Sequence, residues 1–233
     1  LQTERLGVVG RLAAGIAHEI NNPLTGVMLI AGNLKEGMDA QDPRRGDLET
    51  LYREAARARE IVKGLLDFAR QAKPNWSRAS LDVPLGQALE MIRHIALKQG
   101  VELSVEGPEL PGMRLDVSRM QQVLVNLMVN ALDAMPGGGR LRVRKGVSGD
   151  GRTAWIEVAD SGTGIRSEDL PHLFEPFFTT KEGKGTGLGL SISWGIVADH
   201  GGQIDVESHR GKGTTFRVSL PLDGDSNEGS RGS

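Results

Sequence analysis

Apolar residues recur every three or four positions through the first 73 residues, and this spacing restricts what the chain can fold into. The first series is Leu6, Val9, Ala13, Ile16, Ile20, Leu24, Val27, Ala31 and Leu34. After the turn-forming residues Asp42, Pro43 and Gly46, the second series is Leu48, Leu51, Ala55, Ala58, Val62, Leu65, Ala69 and Ala72. Such spacing gives an α-helix one apolar stripe. The pattern therefore predicts two long amphipathic helices joined by a turn.

Two helices in a hairpin cannot cover all of the apolar surface that these stripes carry. A four-helix bundle made by two chains would bury the remainder, so we predict a homodimer. Two successive steps of four residues in the first series fall beside Pro23. A proline inside a helix lacks the N–H and crowds the carbonyl four residues earlier, here that of Glu19, so a bend is predicted there.

The pattern changes at Pro74, where short alternating runs and shorter helical stretches begin. We predict helices over residues 84–99, 116–134 and 188–200, and strands over 101–105, 113–115, 141–147, 154–160, 203–208 and 214–221. Glycines at 137–139 and 149–151 predict hairpin turns, and residues 161–186 form a loop too long for a plain connection, either a lid or a disordered segment. The predicted domains are a helical hairpin over residues 1–73, an α/β two-layer sandwich over 74–223, and an unstructured polar tail over 224–233.

Composition excludes several classes of function. Twenty-eight Lys and Arg residues against thirty Asp and Glu give a net charge of −2, so nucleic acid is not expected as a partner. The absence of cysteine excludes disulfides and thiolate metal sites. No apolar run reaches the roughly 18 residues of a membrane span, so we expect no membrane contact by these residues and a cytoplasmic location. The helical pattern is under way by Leu6 and residue 1 is not Met, so we expect a longer protein, whose membrane anchoring is left open.

His18 stands out on the first predicted helix. It lies two residues from both Ile16 and Ile20 and so points away from the apolar stripe, with Glu19 next to it and Asn22 on the same face. A carboxylate that holds the proton of one ring nitrogen leaves the other nitrogen's lone pair free to attack an electrophile. An exposed histidine in this setting is a candidate nucleophile.

The predicted α/β domain carries residues suited to a nucleotide. Asn126 and Asn130 are four apart on one helix face, and their oxygens suit Mg²⁺ shared with phosphates, although solvated amides are the alternative. Asp160 ends a predicted strand, where its carboxylate can accept from the amino group of adenine while Gly162 and Gly164 let the base approach the backbone. The same residue types also serve ordinary strand-ending turns.

The predicted loop and the helix after it carry a second set of candidates. Gly185, Gly187 and Gly189 precede a predicted helix, so their amides and the helix N-terminus can hold a triphosphate, although flexible linkers are also rich in glycine. Lys181 and Lys184 either neutralise phosphates or are solvated. Three of the nine aromatic residues lie in this loop, and we expect them to fasten it to the core as a lid: Phe174, Phe177 and Phe178.

Five motifs together resemble those of one family. In chain order they are HEINNPL at 18–24, NLMVNALDA at 126–134, DSGTG at 160–164, FEPFF at 174–178 and GTGLGL at 185–190. They resemble the H, N, first glycine, F and second glycine boxes of sensor histidine kinases, over residues 1 to about 222. The resemblance implies a dimerisation and histidine-phosphotransfer hairpin followed by an ATP-binding sandwich similar to those of gyrase and heat-shock chaperone ATPases.

The resemblance also implies roles for individual residues. His18 is the phosphoacceptor, Glu19 the general base, and Asn22 orients a water that dephosphorylates the response regulator to which the phosphoryl group is transferred. The implied cofactors are ATP and Mg²⁺, with Asn130 as metal ligand and Asn126 on the phosphate or lid side. The remaining positions implied at the nucleotide are Asp133, Asp160, Gly162, Gly164, Phe178, Lys181, Lys184, Gly185, Thr186, Gly187, Leu188 and Gly189. The implied partner is the receiver domain of a response regulator, which takes the phosphoryl group on an aspartate.

Two other readings compete with a histidine kinase. Another ATPase of the same sandwich superfamily leaves His18 and Glu19 without a role. A dimeric scaffold or phosphatase that only senses nucleotide does not need all five motifs to be filled, yet they are. The turn at residues 39–46 leaves open whether each subunit phosphorylates its own histidine or its partner's.

Overall fold

The computed structural model describes residues 20–39, 41–69, 74–180 and 186–222. The chain divides into two compact units, one made by residues 1–73 with 176–189 and the other by 74–175 with 190–233. Within the described ranges, no helix is both long enough and apolar enough to cross a bilayer.

The first unit contains the two predicted helices. Helix α1 includes the described residues 20–36, and α2 spans Arg45–Ala69. At the turn, the Arg45 guanidinium donates to the carbonyls of Lys35 and Met38, and Lys35 lies 3.4 Å from Glu49. The buried apolar side chains on the two helices are Met28, Ala31, Ala55 and Val62. The two helices therefore form the predicted hairpin, in which Ala31, Ala55 and Val62 of the predicted series are buried.

The second unit is a two-layer α/β sandwich. Its strands are β1 Ser77–Ser80, β2 Val101–Glu106, β3 Gly112–Leu115, β4 Gly139–Val147, β5 Thr153–Asp160, β6 Gln203–His209 and β7 Gly213–Pro221. Five of them form a sheet of order β2-β4-β5-β7-β6, in which only β2 and β4 pair in parallel, while β1 and β3 form a separate antiparallel pair. The helices are α3 Asp82–Lys98, α4 Val117–Asp133 and α5 Gly189–Asp199. The predicted architecture is confirmed.

Helix α4 forms because its apolar side chains follow the helical period and its first turn is capped. Asp116 lies in an extended conformation, and its side chain accepts from the backbone N–H of Arg119, as an N-cap should. The buried face is Met120, Val123, Leu124, Leu127, Met128, Ala131 and Leu132. This face joins the core beneath the sheet, so the opposite side of α4 is available for Asn126 and Asn130.

Residues 137–139 do not form the hairpin turn that their glycines suggest. They connect α4 to β4, which pairs with β2 in parallel. Gly138 has a φ of +87°, and a Cβ there would lie 2.8 Å from the carbonyl oxygen of Gly100. Gly138 thus lets the connection from α4 to β4 approach the connection from α3 to β2 closely. The residues next to Gly138 in the sequence do not indicate this contact.

The solvent face of the large sheet carries a row of alternating charges. In register across the five strands lie Glu106, Arg144, Glu157, Arg217 and Asp205. Arg144 is hydrogen-bonded to Glu157, and Arg217 lies 3.9 Å from the same carboxylate. Opposite charges on neighbouring strands stabilise one register.

Asp116 joins the start of the second unit to α4. Its Oδ1 accepts from the backbone N–H of Arg119 at 3.1 Å, and its Oδ2 accepts from the backbone N–H of Asn75 at 2.7 Å. Burial raises the pKa of Asp116, but these bonds and one from Ser118 outweigh it and lower the pKa. One carboxylate therefore caps the helix and fixes the entering chain.

His200, which directly follows α5, holds the backbone of Asp116. Its Nδ1 lies 2.7 Å from the Ile196 carbonyl, which can only accept, so Nδ1 carries the proton and Nε2 accepts from the Asp116 N–H at 3.0 Å. The indole of Trp76 packs edge-on against this ring, with centroids 4.7 Å apart. The arrangement requires a neutral imidazole.

We expect the second unit to lose stability as the pH falls below about 6.5. Burial lowers the pKa of His200, and the nearby charge of Arg119 lowers it further, against the Ile196 carbonyl bond and the charges of Asp116 and Asp199. Below the ordinary histidine pKa the unfolded chain therefore binds a proton that the folded chain does not, so the loss grows until folded His200 itself protonates. Urea unfolding between pH 7.5 and 5.5 measures this.

The matched variant is His200→Gln, which cannot titrate. The difference in unfolding free energy between wild type and this variant should shrink as the pH falls. A difference that stays constant across the range would contradict the role given to His200.

Candidate functional site

Asp160 ends β5, and two backbone amides hold its carboxylate. Its Oδ1 accepts from the N–H of Gly162 at 2.8 Å and from the N–H of Thr214 at 3.3 Å. Partial burial raises the pKa of Asp160, and these two bonds offset only part of that effect. Neither amide contacts Oδ2, so the second carboxylate oxygen has a fixed direction and remains an acceptor.

The glycines after Asp160 are required by protein packing. A Cβ at Gly162 would lie 2.5 Å from the Ala134 carbonyl oxygen, and one at Gly164, where φ is +66°, would collide with the His209 carbonyl. Close approach of two chain segments explains both glycines physically. Their predicted contact with a base stays a prediction.

The loop after Asp160 lies against the end of α4. The N–H of Thr163 donates to the Ala134 carbonyl at 3.1 Å, at the same place where Gly162 is packed. Asn130 is partly buried one turn before Ala134, and Asp133 is exposed beside it. The structure thus brings the Asp160 loop to the end of the helix that carries the predicted metal ligand.

Asn126 is oriented by α5. Its Nδ2 donates to the hydroxyl of Ser193 at 2.9 Å, and Ser193 is buried. Arg119 and Asp199 connect the same two helices through an ion pair at 2.7 Å. The amide nitrogen of Asn126 is therefore engaged with α5, which leaves its oxygen as the group able to meet a ligand.

Most of the lid lies in the other compact unit, which includes residues 176–189. The N–H of Phe177 donates to the Gly187 carbonyl at 3.0 Å, and a Cβ at Gly187, where φ is +68°, would collide with the Phe177 backbone. Thr186 Oγ1 lies 3.4 Å from the N–H of Leu188, and Gly189 begins α5. This backbone clip brings together the two ends of residues 178–186.

Phe177 does not fasten the loop to the core, contrary to the sequence prediction. Its side chain is 55% exposed, and its φ is +69°. The left-handed backbone lets its N–H reach Gly187, so the main chain closes the loop. Phe174 does pack against the core, and Phe178 is partly buried.

Several predicted site residues lie outside the described residues: His18, Glu19, Lys181, Lys184 and Gly185. Asn22 is described and is exposed on α1. Within the described residues, no group of three or more His, Cys, Asp or Glu side chains is placed to hold a metal ion.

Three residues that support the site were missed by sequence reasoning. Ser193, Ser208 and Thr214 are buried hydroxyl residues, and each contacts a partner far away in the chain. Asn126 and Ser193 are 67 positions apart, and Asp160 and Thr214 are 54 apart. The Gly213-Thr214 step after a turn was the only local signal, and it resembles any strand start.

Two family models match consecutive parts of the chain. Residues 8–74 match the His Kinase A (phospho-acceptor) domain, and residues 115–224 match the histidine kinase-, DNA gyrase B-, and HSP90-like ATPase. The chain belongs to the sensor histidine kinases. This histidine kinase therefore combines a phosphoacceptor hairpin and an ATPase-type sandwich in one chain, as the five motifs imply.

Named relatives and solved structures are histidine kinases as well. Sensor kinase CckA of Brucella abortus (strain 2308) is 40% identical over 235 residues, covering 94% of this chain and 25% of its own length. Full-length ShkA in complex with AMPPNP has a TM-score of 0.69 at 27% identity, over 91% of this chain and 46% of that one. Histidine kinase ThkA in complex with response regulator protein TrrA has a TM-score of 0.69 at 28% identity, over 94% and 64%. This histidine kinase chain spans between 25% and 52% of the length of eight similar curated proteins.

Proposed function

We propose that this protein autophosphorylates on His18 from ATP and passes the phosphoryl group to an aspartate on a response regulator receiver domain. The geometry of the Asp160 carboxylate is the observation that supports ATP binding. Two backbone amides hold its Oδ1, so Oδ2 offers a rigid acceptor to the 6-amino group of adenine. The match of residues 8–74 to a phosphoacceptor domain supports the histidine part.

We assign Mg²⁺ to Asn130 together with the nucleotide phosphates. A carboxamide oxygen suits this hard cation, and the described residues contain no acidic cluster able to hold it alone. A site that shares Mg²⁺ with phosphates needs few protein ligands. When bound, the ion neutralises charge on the phosphates during transfer.

The chain's own residues then carry the transfer. A ring nitrogen of His18 attacks the γ-phosphorus, the bond from that phosphorus to the bridging oxygen breaks, and ADP leaves. Glu19 takes the imidazole proton. Gly187 and the helix start at Gly189 hold the phosphates, and Lys181 supplies positive charge.

The function is tested with γ-labelled ATP and Mg²⁺. The chain is expected to take up label that is labile to acid and stable to alkali, and to lose it to a receiver domain added afterwards. Acid-stable label would indicate another acceptor residue. Binding of ATP without any label would favour the scaffold or phosphatase reading.

We infer a homodimer from the apolar surface that remains on the hairpin. Ile20, Val27 and Leu34 are spaced seven residues apart on α1, and each is at least 39% exposed. Seven residues are two helical turns, so these side chains form one stripe beside the buried seam. Leu51 on α2 is also exposed. A second hairpin would cover both, as in a four-helix bundle.

Val27→Asp is expected to dissociate the dimer, because it places a charge in the apolar interface. Leu29→Asp is the matched control, since Leu29 is 63% exposed and lies about 200° around the helix from Val27. Light scattering after gel filtration should give a monomer mass for the first and a dimer mass for the second. Dimers of both variants would contradict the proposed interface.

We also propose that Asn22 orients the water that removes phosphate from the regulator. Asn22→Ala is then expected to reduce regulator dephosphorylation about 10-fold or more while His18 labelling changes less than about twofold, because the water is used only in hydrolysis. Decay of a phosphorylated receiver domain, with and without the chain, measures the first activity. Equal loss of both activities would contradict the role.

A further inference from the structure

Ser208 is a buried side chain with a full set of hydrogen bonds. It lies on β6 and is 7% exposed. Its hydroxyl accepts from the N–H of Ile165 at 2.8 Å, lies 3.1 Å from the Gly213 carbonyl, and lies 2.9 Å from Thr214 Oγ1. A hydroxyl has one proton and two lone pairs. Donation to Gly213 and acceptance from Ile165 and Thr214 satisfies all three.

Its partners surround Asp160. Ile165 directly follows the DSGTG motif at 160–164, and Thr214 donates its own backbone N–H to Asp160 Oδ1. Ser208 therefore touches both the loop on one side of this carboxylate and the strand on the other. It does so without touching Asp160 itself.

Backbone contacts hold the middle of the same loop. The N–H of Gly211 donates to the Thr163 carbonyl at 2.7 Å, and Gly164 packs against the His209 carbonyl. These contacts do not involve the side chain at position 208. Loss of the Ser208 hydroxyl should thus release the N–H of Ile165 and the side chain of Thr214, while backbone pairing keeps the hairpin between β6 and β7 folded.

We propose that Ser208 is a positioning residue for base selection. By holding Ile165 and the Thr214 side chain, its hydroxyl keeps the segment that carries the Gly162 amide in place on Asp160 Oδ1 and so aims Oδ2 at the 6-amino group of a purine. A purine with an oxygen at position 6 would place that acceptor against the acceptor Oδ2, so the site rejects it. This inference rests on the proposed function, in which Asp160 receives adenine.

The test compares ATP with inosine triphosphate, which carries an oxygen in place of the 6-amino group. The dissociation constant of each nucleotide is measured by calorimetry for the whole chain. The wild type is expected to prefer ATP about 30-fold or more. Ser208→Ala should reduce this preference about 5-fold, by weakening ATP more than inosine triphosphate. The rate of His18 labelling at saturating ATP should change less than about twofold, since only binding of the base is affected.

Ser193→Ala is the matched control, because it also removes a buried hydroxyl, one that contacts Asn126 and not the Asp160 loop. It is expected to leave the ratio of the two dissociation constants unchanged. Thr214→Val removes the other hydroxyl of the Ser208 pair with little change of shape and is expected to lower the ratio in the same direction. If Ser208→Ala does not fold, the Thr214 variant decides.

Two results would overturn different statements. A wild-type ratio near one, or a ratio that Asp160→Asn does not change, would remove the assignment of adenine to Asp160. A ratio that responds to Asp160→Asn but not to Ser208→Ala or Thr214→Val would leave that assignment intact and reject the role of Ser208.

Discussion

The His18→Ala chain is expected to acquire no phosphoryl label from γ-labelled ATP above background. Its imidazole is the proposed nucleophile, and alanine offers no atom that can attack phosphorus. Autoradiography after denaturing electrophoresis measures the label. Affinity for ATP should stay within about twofold of wild type, because the proposed acceptor for adenine is Asp160, and the substitution changes neither this carboxylate nor its two amide donors. Label retained in His18→Ala would place the acceptor elsewhere.

The same variant separates the two possible directions of transfer. Mixed dimers of His18→Ala and Asp160→Asn contain one intact histidine and one intact nucleotide site, on different subunits. Label on the Asp160→Asn subunit would show transfer between subunits. Absence of label in proven mixed dimers would show transfer within one subunit.

Asp160→Asn is expected to weaken ATP binding about 100-fold. The side-chain oxygen of asparagine must take the place of Oδ1, because the N–H groups of Gly162 and Thr214 both point there. The amide nitrogen then takes the place of Oδ2 and presents a donor to the 6-amino donor of adenine. A site that loses a hydrogen bond and gains a repulsion of this kind typically loses several kilocalories per mole of binding free energy.

The change in polarity also predicts the nucleotide preference. Inosine triphosphate carries an acceptor at position 6, so its affinity should fall much less and the preference for ATP should vanish. Asp205→Asn is the matched control, since Asp205 lies in the charge row on the solvent face of the sheet. An equal loss for both nucleotides in Asp160→Asn, or any such loss in the control, would contradict the assignment.

Local rules were sufficient where a segment's structure depends on its own residues. Helix α4 has an apolar face with helical spacing and an N-cap at Asp116, and both follow from neighbours within four positions. Strand β5 ends at Asp160, as predicted. The family resemblance rests on motifs of the same short range, and the two family models confirm it.

Local rules failed where backbone conformation overrides residue type. The glycines at 137–139 have the composition of a hairpin turn, yet they join a helix to a strand that pairs in parallel with β2. Phe177 is a large apolar residue, which would be expected to pack in the core, yet its left-handed backbone leaves the ring exposed. In both cases the partner that decides the conformation is absent from the local sequence.

The sequence by itself therefore determined the two helices, the α/β sandwich, the position of Asp160 and the family. Only the tertiary structure decided which atoms meet: Thr214 on Asp160, Ser208 on Ile165, and Ser193 on Asn126. These pairs are 54, 43 and 67 positions apart, and strand register and helix packing bring them together. Helix period and turn chemistry act over a few residues, whereas register is a property of the whole sheet.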